Sequence, residues 1–199
     1  MNNNGLLLIF SGPSGAGKGT VLKELLNGND NMKLSVSATT RTPREGECHG
    51  VHYFFMTKEE FEEQIANGQM LEHAEYCGKY YGTPSSQIMD WIEEGREIEV
   101  QGARQIKEKR PDCVSIFVLP PSLEELEKRL RYRNTEDEET IQKRLAVARQ
   151  EMETARDYDY VIVNDTIEHT VEQINKIIAA EKLKVSRAKS NIERVLNND

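Results

Sequence analysis

A glycine-rich segment near the start of the chain carries the clearest chemistry. It reads Gly12-Pro13-Ser14-Gly15-Ala16-Gly17-Lys18-Gly19-Thr20 and lies between an apolar run, Leu6–Phe10, and apolar residues at helical spacing. Glycines let backbone N–H groups converge on phosphate oxygens, and the N-terminus of the following helix attracts the same anion. The lysine adds a positive charge beside the outer phosphates of a nucleotide. The segment therefore predicts a phosphate-binding loop rather than a glycine-rich turn with an incidental lysine.

The sequence of the loop does not identify which residue binds the metal ion of the nucleotide. Gly19 stands where loops of this type offer a Ser or Thr hydroxyl to Mg²⁺, and Thr20 follows one position later. Thr20 is therefore a candidate metal ligand, but the sequence does not decide whether it binds the ion directly.

The amino-acid composition limits the classes of protein to which this chain can belong. The chain has 199 residues, of which 37% are hydrophobic and 30% charged, as in water-soluble globular domains. Its net charge of −8 disfavours a nucleic-acid partner, and its first apolar run is too short for a membrane segment. The three cysteines are scattered and odd in number, so we expect a reducing, cytoplasmic location without a disulfide framework.

Apolar patterning predicts strands that alternate with helices. The predicted strands are Leu6–Phe10, Lys33–Ser37, His52–Phe55, Met70–Tyr76, Arg96–Gly102, Val114–Leu119 and Tyr160–Asn164, the last two interpreted as buried. Thr57-Lys58-Glu59-Glu60 is a capping box at a helix start, and Cys77–Pro84 is interpreted as a turn-rich loop. This order indicates an α/β fold with a parallel sheet flanked by helices, and ligands outside the carboxyl ends of its strands.

Four motifs together resemble guanylate kinase, over about residues 6–181. They are the phosphate loop, Thr39-Thr40-Arg41-Thr42-Pro43-Arg44-Glu45-Gly46-Glu47, Tyr80-Tyr81-Gly82-Thr83 and Val161-Ile162-Val163-Asn164-Asp165. The resemblance implies a P-loop NTPase-like core and transfer of the γ-phosphoryl group of MgATP to GMP, and also to dGMP. It implies a core at 1–33 and 88–199 with a lid at about 130–150, and a GMP-binding insertion at 34–87.

The resemblance assigns an acceptor site. The residues that would bind GMP are Ser37, Arg41, Arg44, Tyr53, Glu72, Tyr81, Thr83 and Glu99. Glu72 would accept from guanine N1–H and the exocyclic amine, which lie side by side, and adenine offers an acceptor at the same place. Glu99 occupies a position where the family often has Asp.

The resemblance also assigns a donor site. ATP would contact residues 12–20 and Asn164, Mg²⁺ would be held by Glu97 through water, and the catalytic side chains would be Lys18, Arg41, Arg129, Arg133 and Arg144. The last three match the lid arginines, although Tyr132-Arg133-Asn134 replaces the usual Gly-Arg-Gly. Arginine suits these roles because its planar fork gives paired hydrogen bonds to phosphate oxygens.

Other interpretations of the same residues were weighed. The arginines of the 41–44 loop could form surface salt bridges, the tyrosines could be packing residues, and the lid arginines could be a solvated helix face. A metal cluster made from Cys48, His49, His52, His73 and Cys77 matches no zinc spacing. For the whole chain, the alternatives are a nucleoside monophosphate kinase for another base and a guanylate-kinase-like scaffold that binds phosphopeptides.

Overall fold

A computed structural model describes residues 5–76, 78–100, 103–132 and 138–197. The strands are β1 (Leu6–Ser11), β2 (Met32–Leu34), β3 (Ala38–Thr39), β4 (Phe54–Phe55), β5 (Met70–Tyr76), β6 (Lys79–Pro84), β7 (Glu97–Val100), β8 (Val114–Leu119) and β9 (Tyr160–Val163). The helices are α1 (Lys18–Asn27), α2 (Lys58–Ala66), α3 (Ser86–Glu93), α4 (Ala103–Lys109), α5 (Leu123–Tyr132), α6 (Glu138–Glu153), α7 (Ile167–Lys182) and α8 (Lys189–Leu196).

The chain divides into two compact units. The first contains the residues up to Ile9 and Asn31–Cys113, and the second contains Phe10–Asp30 and the residues from Val114 onward. Strand β1 begins in the first unit and ends in the second. The predicted α/β class with a parallel sheet is confirmed, since every pair of strands described below for this sheet is parallel.

Parallel strands in the order β2-β7-β1 form one part of the first unit. Glu97 of β7 is in register with Leu6 on one side and Met32 on the other. The buried side chains packed here come from β1, β5, β7, the helices α3 and α4 and the residue before β8, and they are Leu7, Ile9, Leu71, Ile88, Ile98, Ile106 and Cys113. These strands therefore have an apolar layer at their face, as expected for a parallel sheet.

A second sheet of the first unit has the order β4-β3-β6-β5. The prediction that Cys77–Pro84 is a loop was wrong for Lys79–Pro84, which pairs antiparallel with β5 and places Thr83 opposite Glu72. Tyr80, Tyr81 and Thr83 have high β propensity, and this outweighs the turn residues around them. Two strand predictions were also too long, since β2 ends at Leu34 and β4 begins at Phe54.

The Thr57 capping box is confirmed at the start of α2. The Thr57 hydroxyl accepts from the Glu60 backbone N–H at 3.2 Å, and the Glu60 carboxylate accepts from the Thr57 N–H at 2.7 Å. This satisfies two backbone donors that the helix itself leaves without partners.

In the sheet order of the second unit, the end of β1 is adjacent to β8, and β8 is adjacent to β9. Helices α5 and α6 pack through Leu126, Leu130, Ile141, Leu145 and Ala148. The prediction that the last strand is buried was wrong on one face: Val161 and Val163 of β9 are about half exposed, whereas Ile162 is 3% exposed. Strand β9 is the last in this order, and its side chains alternate between the two faces.

A buried carboxylate ties the end of α7 to β9. Glu181, 1% exposed, accepts from the Tyr160 hydroxyl at 2.6 Å and from Lys184 Nζ at 2.6 Å. The hydrogen bond to Glu181 raises the pKa of Tyr160 to about 12. This contact gives the start of the C-terminal segment a structural role that the sequence did not reveal.

No helix in the described ranges is long and apolar enough to cross a bilayer.

Gly82 generates a test of the second sheet. A Cβ atom at Gly82 would lie 2.6 Å from the Glu72 carbonyl oxygen and 3.0 Å from Phe61 Cζ. We expect Gly82→Ala to lower the free energy of unfolding by about 1–3 kcal/mol, since overpacking forces the strands apart.

The matched control is Gly28→Ala, whose Cβ would meet nothing closer than 3.6 Å. Urea unfolding of both variants decides the matter. Equal stability of the two variants would contradict the close β5–β6 packing.

Candidate functional site

The phosphate loop has a backbone that glycine alone adopts easily. Gly12 and Gly17 have φ angles of 147° and 90°. A Cβ at Gly12 would overlap the Val118 carbonyl oxygen of β8, and one at Gly17 would overlap Asn164 Nδ2. The predicted loop is therefore a tight turn fitted against its neighbours, directly before α1.

Lys18 begins α1 and its side chain folds back over the loop. Its ammonium donates to the carbonyl oxygen of Gly12 and, at 3.1 Å, to that of Pro13. Burial lowers the pKa of Lys18 below its ordinary value, and the Glu151 carboxylate partly opposes this shift. The loop thus holds the lysine close to the N-terminus of α1.

The start of α1 presents backbone donors to a cavity. The first N–H groups of an α-helix have no partner inside the helix, and among the described residues no side chain caps α1. A cavity of about 500 Å³ adjoins this point. Its wall includes Gly15, Gly17, Thr20, Arg129, Asn164 and Asp165. The helix N-terminus can attract an anion, and the cavity has room for a nucleoside beside it.

Two predicted residues meet at the loop carbonyl of Ala16. Asn164 Nδ2 donates to Ala16 O at 2.7 Å, and Arg129 Nη1 lies 3.5 Å from the same oxygen. Arg129 Nε also donates to Glu125 Oε1 at 3.1 Å. The structure therefore brings Arg129 and Asn164 to the phosphate loop, while Arg144 lies half-buried on α6 and Arg133 lies outside the described residues.

Glu72 and Thr83 form a pair on the second sheet. The Thr83 hydroxyl donates to Glu72 Oε1 at 2.7 Å, and Thr83 is fully buried. Burial raises the pKa of Glu72, while the Thr83 hydrogen bond and the charge of Lys109 lower it. Lys109, a residue not predicted for the site, donates to the Met70 carbonyl oxygen at 2.8 Å.

Arg41 is held in place by Glu47. Arg41 Nη1 and Nη2 donate to the two carboxylate oxygens at 2.8 and 2.9 Å, and Nη1 also donates to Thr42 O at 2.8 Å. The Arg44 backbone N–H donates to the same carboxylate at 2.7 Å. Arg41 and, after it, Arg44 lower the pKa of Glu47 to about 2. The salt bridge weighed as an alternative is present, and it fixes Arg41 in one orientation.

Aromatic rings surround the same guanidinium. Arg41 Cζ lies 5.4 Å from the centre of the Tyr53 ring and 5.7 Å from that of Phe55. The Tyr53 and Tyr81 rings are 6.3 Å apart in an edge-on arrangement. Ser37 lies directly before β3 and is half-buried. Its carbonyl oxygen accepts from the Phe54 N–H at 2.8 Å. Arg41, Tyr53 and Tyr81 are thus brought together, and Arg44 is exposed beside them.

Sequence reasoning missed Glu47 and Phe55 as parts of this site. Glu47 is six positions from Arg41 within an irregular loop, where no helix or strand repeat relates the two side chains. The sequence around Phe55 predicted a strand and nothing further. Only the folded chain places the Phe55 ring beside the Arg41 guanidinium.

The structure describes the side chain of one candidate metal ligand, Thr20, and only the backbone of Glu97. Thr20 is exposed in the first turn of α1, and Glu97 and Glu99 lie on β7 opposite Leu6 and Leu8, with side chains outside the described set. In the described ranges no three or more His, Cys, Asp or Glu residues are grouped to hold a metal ion. His49 and His52 each use Nδ1 to accept a backbone N–H, which indicates a structural role; Cys77 lies outside the described residues.

Comparison with known proteins identifies the family. The guanylate kinase family model matches residues 4–181. Guanylate kinases of Clostridioides difficile (strain 630) and Desulfitobacterium hafniense (strain Y51) are 55% and 52% identical, over 94% and 93% of this chain and 94% of each relative. The crystal structure of guanylate kinase from Anaplasma phagocytophilum superposes with a TM-score of 0.72 at 37% identity, covering 93% of this chain and 90% of that one. With its phosphate loop, its Arg41–Glu47 loop and its Glu72–Thr83 pair in place, the chain belongs to the guanylate kinase family.

Proposed function

We propose that this protein transfers the γ-phosphoryl group of ATP to GMP, and also to dGMP, giving ADP and GDP or dGDP. A phosphate oxygen of the acceptor attacks the γ-phosphorus, and the bond to the β–γ bridging oxygen breaks as ADP leaves. The Glu72–Thr83 pair carries the proposal, because it is chemistry for reading guanine and not for phosphate binding in general.

Guanine fits this pair by hydrogen-bond type. Its N1–H and exocyclic amine are two adjacent donors, and an ionised Glu72 accepts both. Thr83 donates its one hydroxyl proton to Glu72 Oε1 in this structure and would turn it toward guanine O6 when the base binds. Adenine has an acceptor at N1, so the carboxylate would face a lone pair, and such mismatches against enclosed polar groups are costly.

The acceptor phosphate would bind the cationic loop. Arg41 is already oriented by Glu47, so little side-chain entropy is lost when its fork meets phosphate oxygens. Arg44, Ser37, Tyr53 and Tyr81 add donors beside it. Glu99 remains a proposed second contact to the base.

The donor phosphates would bind residues 12–20. The N-terminus of α1, Lys18 and Arg129 neutralise charge there, and Asn164 lines the same cavity. Arg133 and Arg144 complete the lid arginines proposed from the family. Positioning and charge neutralisation supply most of the catalysis of phosphoryl transfer.

Mg²⁺ is the cofactor we propose, bound with ATP. The exposed Thr20 hydroxyl fits a hard cation, which prefers oxygen ligands and retains water and nucleotide phosphate in its coordination shell. Glu97 would hold it through water. The ion supplies neutralisation of the β- and γ-phosphates.

We propose the same domain assignment as from the sequence: a core at 1–33 and 88–199, a lid at about 130–150 and a GMP-binding insertion at 34–87. Among the residues that the structure describes, Cys48 and Cys113 are not joined in a disulfide, which agrees with the proposed cytoplasmic location.

The decisive assay measures ADP formation with MgATP and either GMP or AMP as acceptor. Turnover with GMP and little with AMP is expected. Absence of GMP-dependent turnover would refute the proposed function.

Glu72→Gln tests the guanine reader. An amide keeps one acceptor and turns a donor toward guanine, so we expect kcat/KM for GMP to fall about 10–100-fold and the preference over AMP to shrink. The control is Glu75→Gln, an exposed position on the same strand, which should change neither. An unchanged preference in a folded Glu72→Gln protein would remove Glu72 from base recognition.

The pH dependence of GMP affinity tests the charge of Glu72. Because its pKa is raised, Glu72 gains a proton at a higher pH than an ordinary glutamate as the solution is acidified. Glu47, with a pKa of about 2, stays ionised over the same range and keeps Arg41 in place. GMP affinity measured by calorimetry should therefore fall on the acidic side.

The GMP phosphate titrates in the same region, so Glu72→Gln is the reference for this measurement. The wild-type protein should lose more affinity than the variant on acidification. Parallel curves for the two proteins would show that ionised Glu72 does not contribute.

Lys18→Ala tests the donor site. Loss of the ammonium should lower transfer by about 100-fold or more, while GMP binding measured by calorimetry survives. Lys23→Ala, an exposed lysine of the same helix, is the control and should retain activity. Intact transfer by Lys18→Ala would exclude the phosphate loop from the mechanism.

A further inference from the structure

Two buried polar side chains of the second unit form a chain of hydrogen bonds that ends on the phosphate loop. Thr170 of α7 is 0% exposed and Asn164 is 4% exposed. The Thr170 hydroxyl donates to Asn164 Oδ1 at 3.0 Å, and Asn164 Nδ2 donates to Ala16 O at 2.7 Å. The same hydroxyl has a second acceptor, the Thr166 carbonyl oxygen at 2.7 Å, so its one proton is shared between Thr166 O and Asn164 Oδ1.

The Ala16 carbonyl oxygen, which can only accept, determines which way the Asn164 amide points. With Nδ2 toward Ala16 O, Oδ1 faces the Thr170 hydroxyl, which gives it a donor. The opposite orientation would place two oxygens against each other at the loop and lose the hydrogen bond. A buried amide with partners at both ends has one favoured orientation.

Ala16 lies between Gly15 and Gly17, the two glycines with φ angles of 93° and 90°. Its carbonyl must point away from the phosphates if the neighbouring N–H groups are to point toward them. Asn164 supplies the donor that holds this carbonyl, and its amide fits against Gly17, where any side chain would overlap it. Loop curvature and amide orientation are therefore coupled.

We propose that Thr170 is a positioning residue for the phosphoryl donor, acting through Asn164 and Ala16 to hold the phosphate loop in its anion-binding shape. The proposal depends on the proposed function only in taking ATP as the ligand of this loop. Thr170 itself touches neither nucleotide.

Thr170→Val removes the hydroxyl and keeps the shape of the side chain. Asn164 Oδ1 then loses its donor, and we expect ATP binding, measured by calorimetry without GMP, to weaken about fivefold or more. KM for ATP should rise by a similar factor, while GMP binding and KM for GMP stay unchanged. Thr170→Ser, which restores the hydroxyl, should stay within about twofold of the wild type.

The control for loss of a threonine hydroxyl is Thr154→Val, whose hydroxyl donates to Glu151 O at an exposed position. It should leave ATP binding unchanged. If Thr170→Val does not fold, Thr170→Ala and Thr170→Ser form the replacement pair, since they differ in the hydroxyl alone.

Three results would overturn the proposal: normal ATP binding by Thr170→Val, equal weakening of ATP and GMP, or failure of serine to restore ATP binding. A wild-type protein that binds ATP but shows no GMP-dependent turnover would instead refute the proposed function, and the Thr170 comparison would still be decided by ATP binding alone.

Discussion

A phosphate-binding loop needs its carbonyl oxygens turned away from the ligand, and the structure meets this requirement with side-chain donors. The carbonyls of Gly12 and Pro13 accept from Lys18, and that of Ala16 accepts from Asn164. Because a trans peptide points its N–H opposite to its C=O, fixing the Pro13 and Ala16 carbonyls directs the N–H groups of Ser14 and Gly17 the other way, whereas the Gly12 carbonyl adjoins Pro13, which has no N–H. A carbonyl facing the ligand would repel phosphate, so the attraction of the loop for anions depends on these contacts as much as on its glycines.

The acceptor side solves a different problem, because its charged side chains must be held in position before a nucleotide binds. Glu47 fixes the Arg41 guanidinium from one edge, and the aromatic rings of Tyr53 and Phe55 enclose it. Glu72 is fixed by a neutral hydroxyl and therefore keeps its full charge for a donor base. Its raised pKa is the cost of that enclosure, and the two donors of guanine would offset it.

Local sequence signals predicted the elements that local physics determines. The glycine-rich turn before α1, the Thr57 capping box and the apolar run of β8 each have a signature within ten residues or fewer, and each of these local structures was confirmed. Strand β6 was missed because Gly78, Gly82 and Pro84 weaken its pattern, while its stability comes from pairing with β3 and β5. The Arg41–Glu47 pair and the Thr170–Asn164–Ala16 chain of hydrogen bonds could not be predicted, because their geometry depends on turns and on contacts between distant segments.

The missed strand changes the account of specificity. A threonine in a turn-rich loop would sample several orientations, and its hydroxyl would lose entropy on meeting a base. In β6, register with β5 places Thr83 opposite Glu72, and Gly82 allows the strands the close approach that the 2.7 Å bond requires. Thr170 gains its direction in the same way from the backbone of α7. In both units a threonine held by regular secondary structure donates to the polar group beside it, so the geometry of each pair depends on backbone hydrogen bonds.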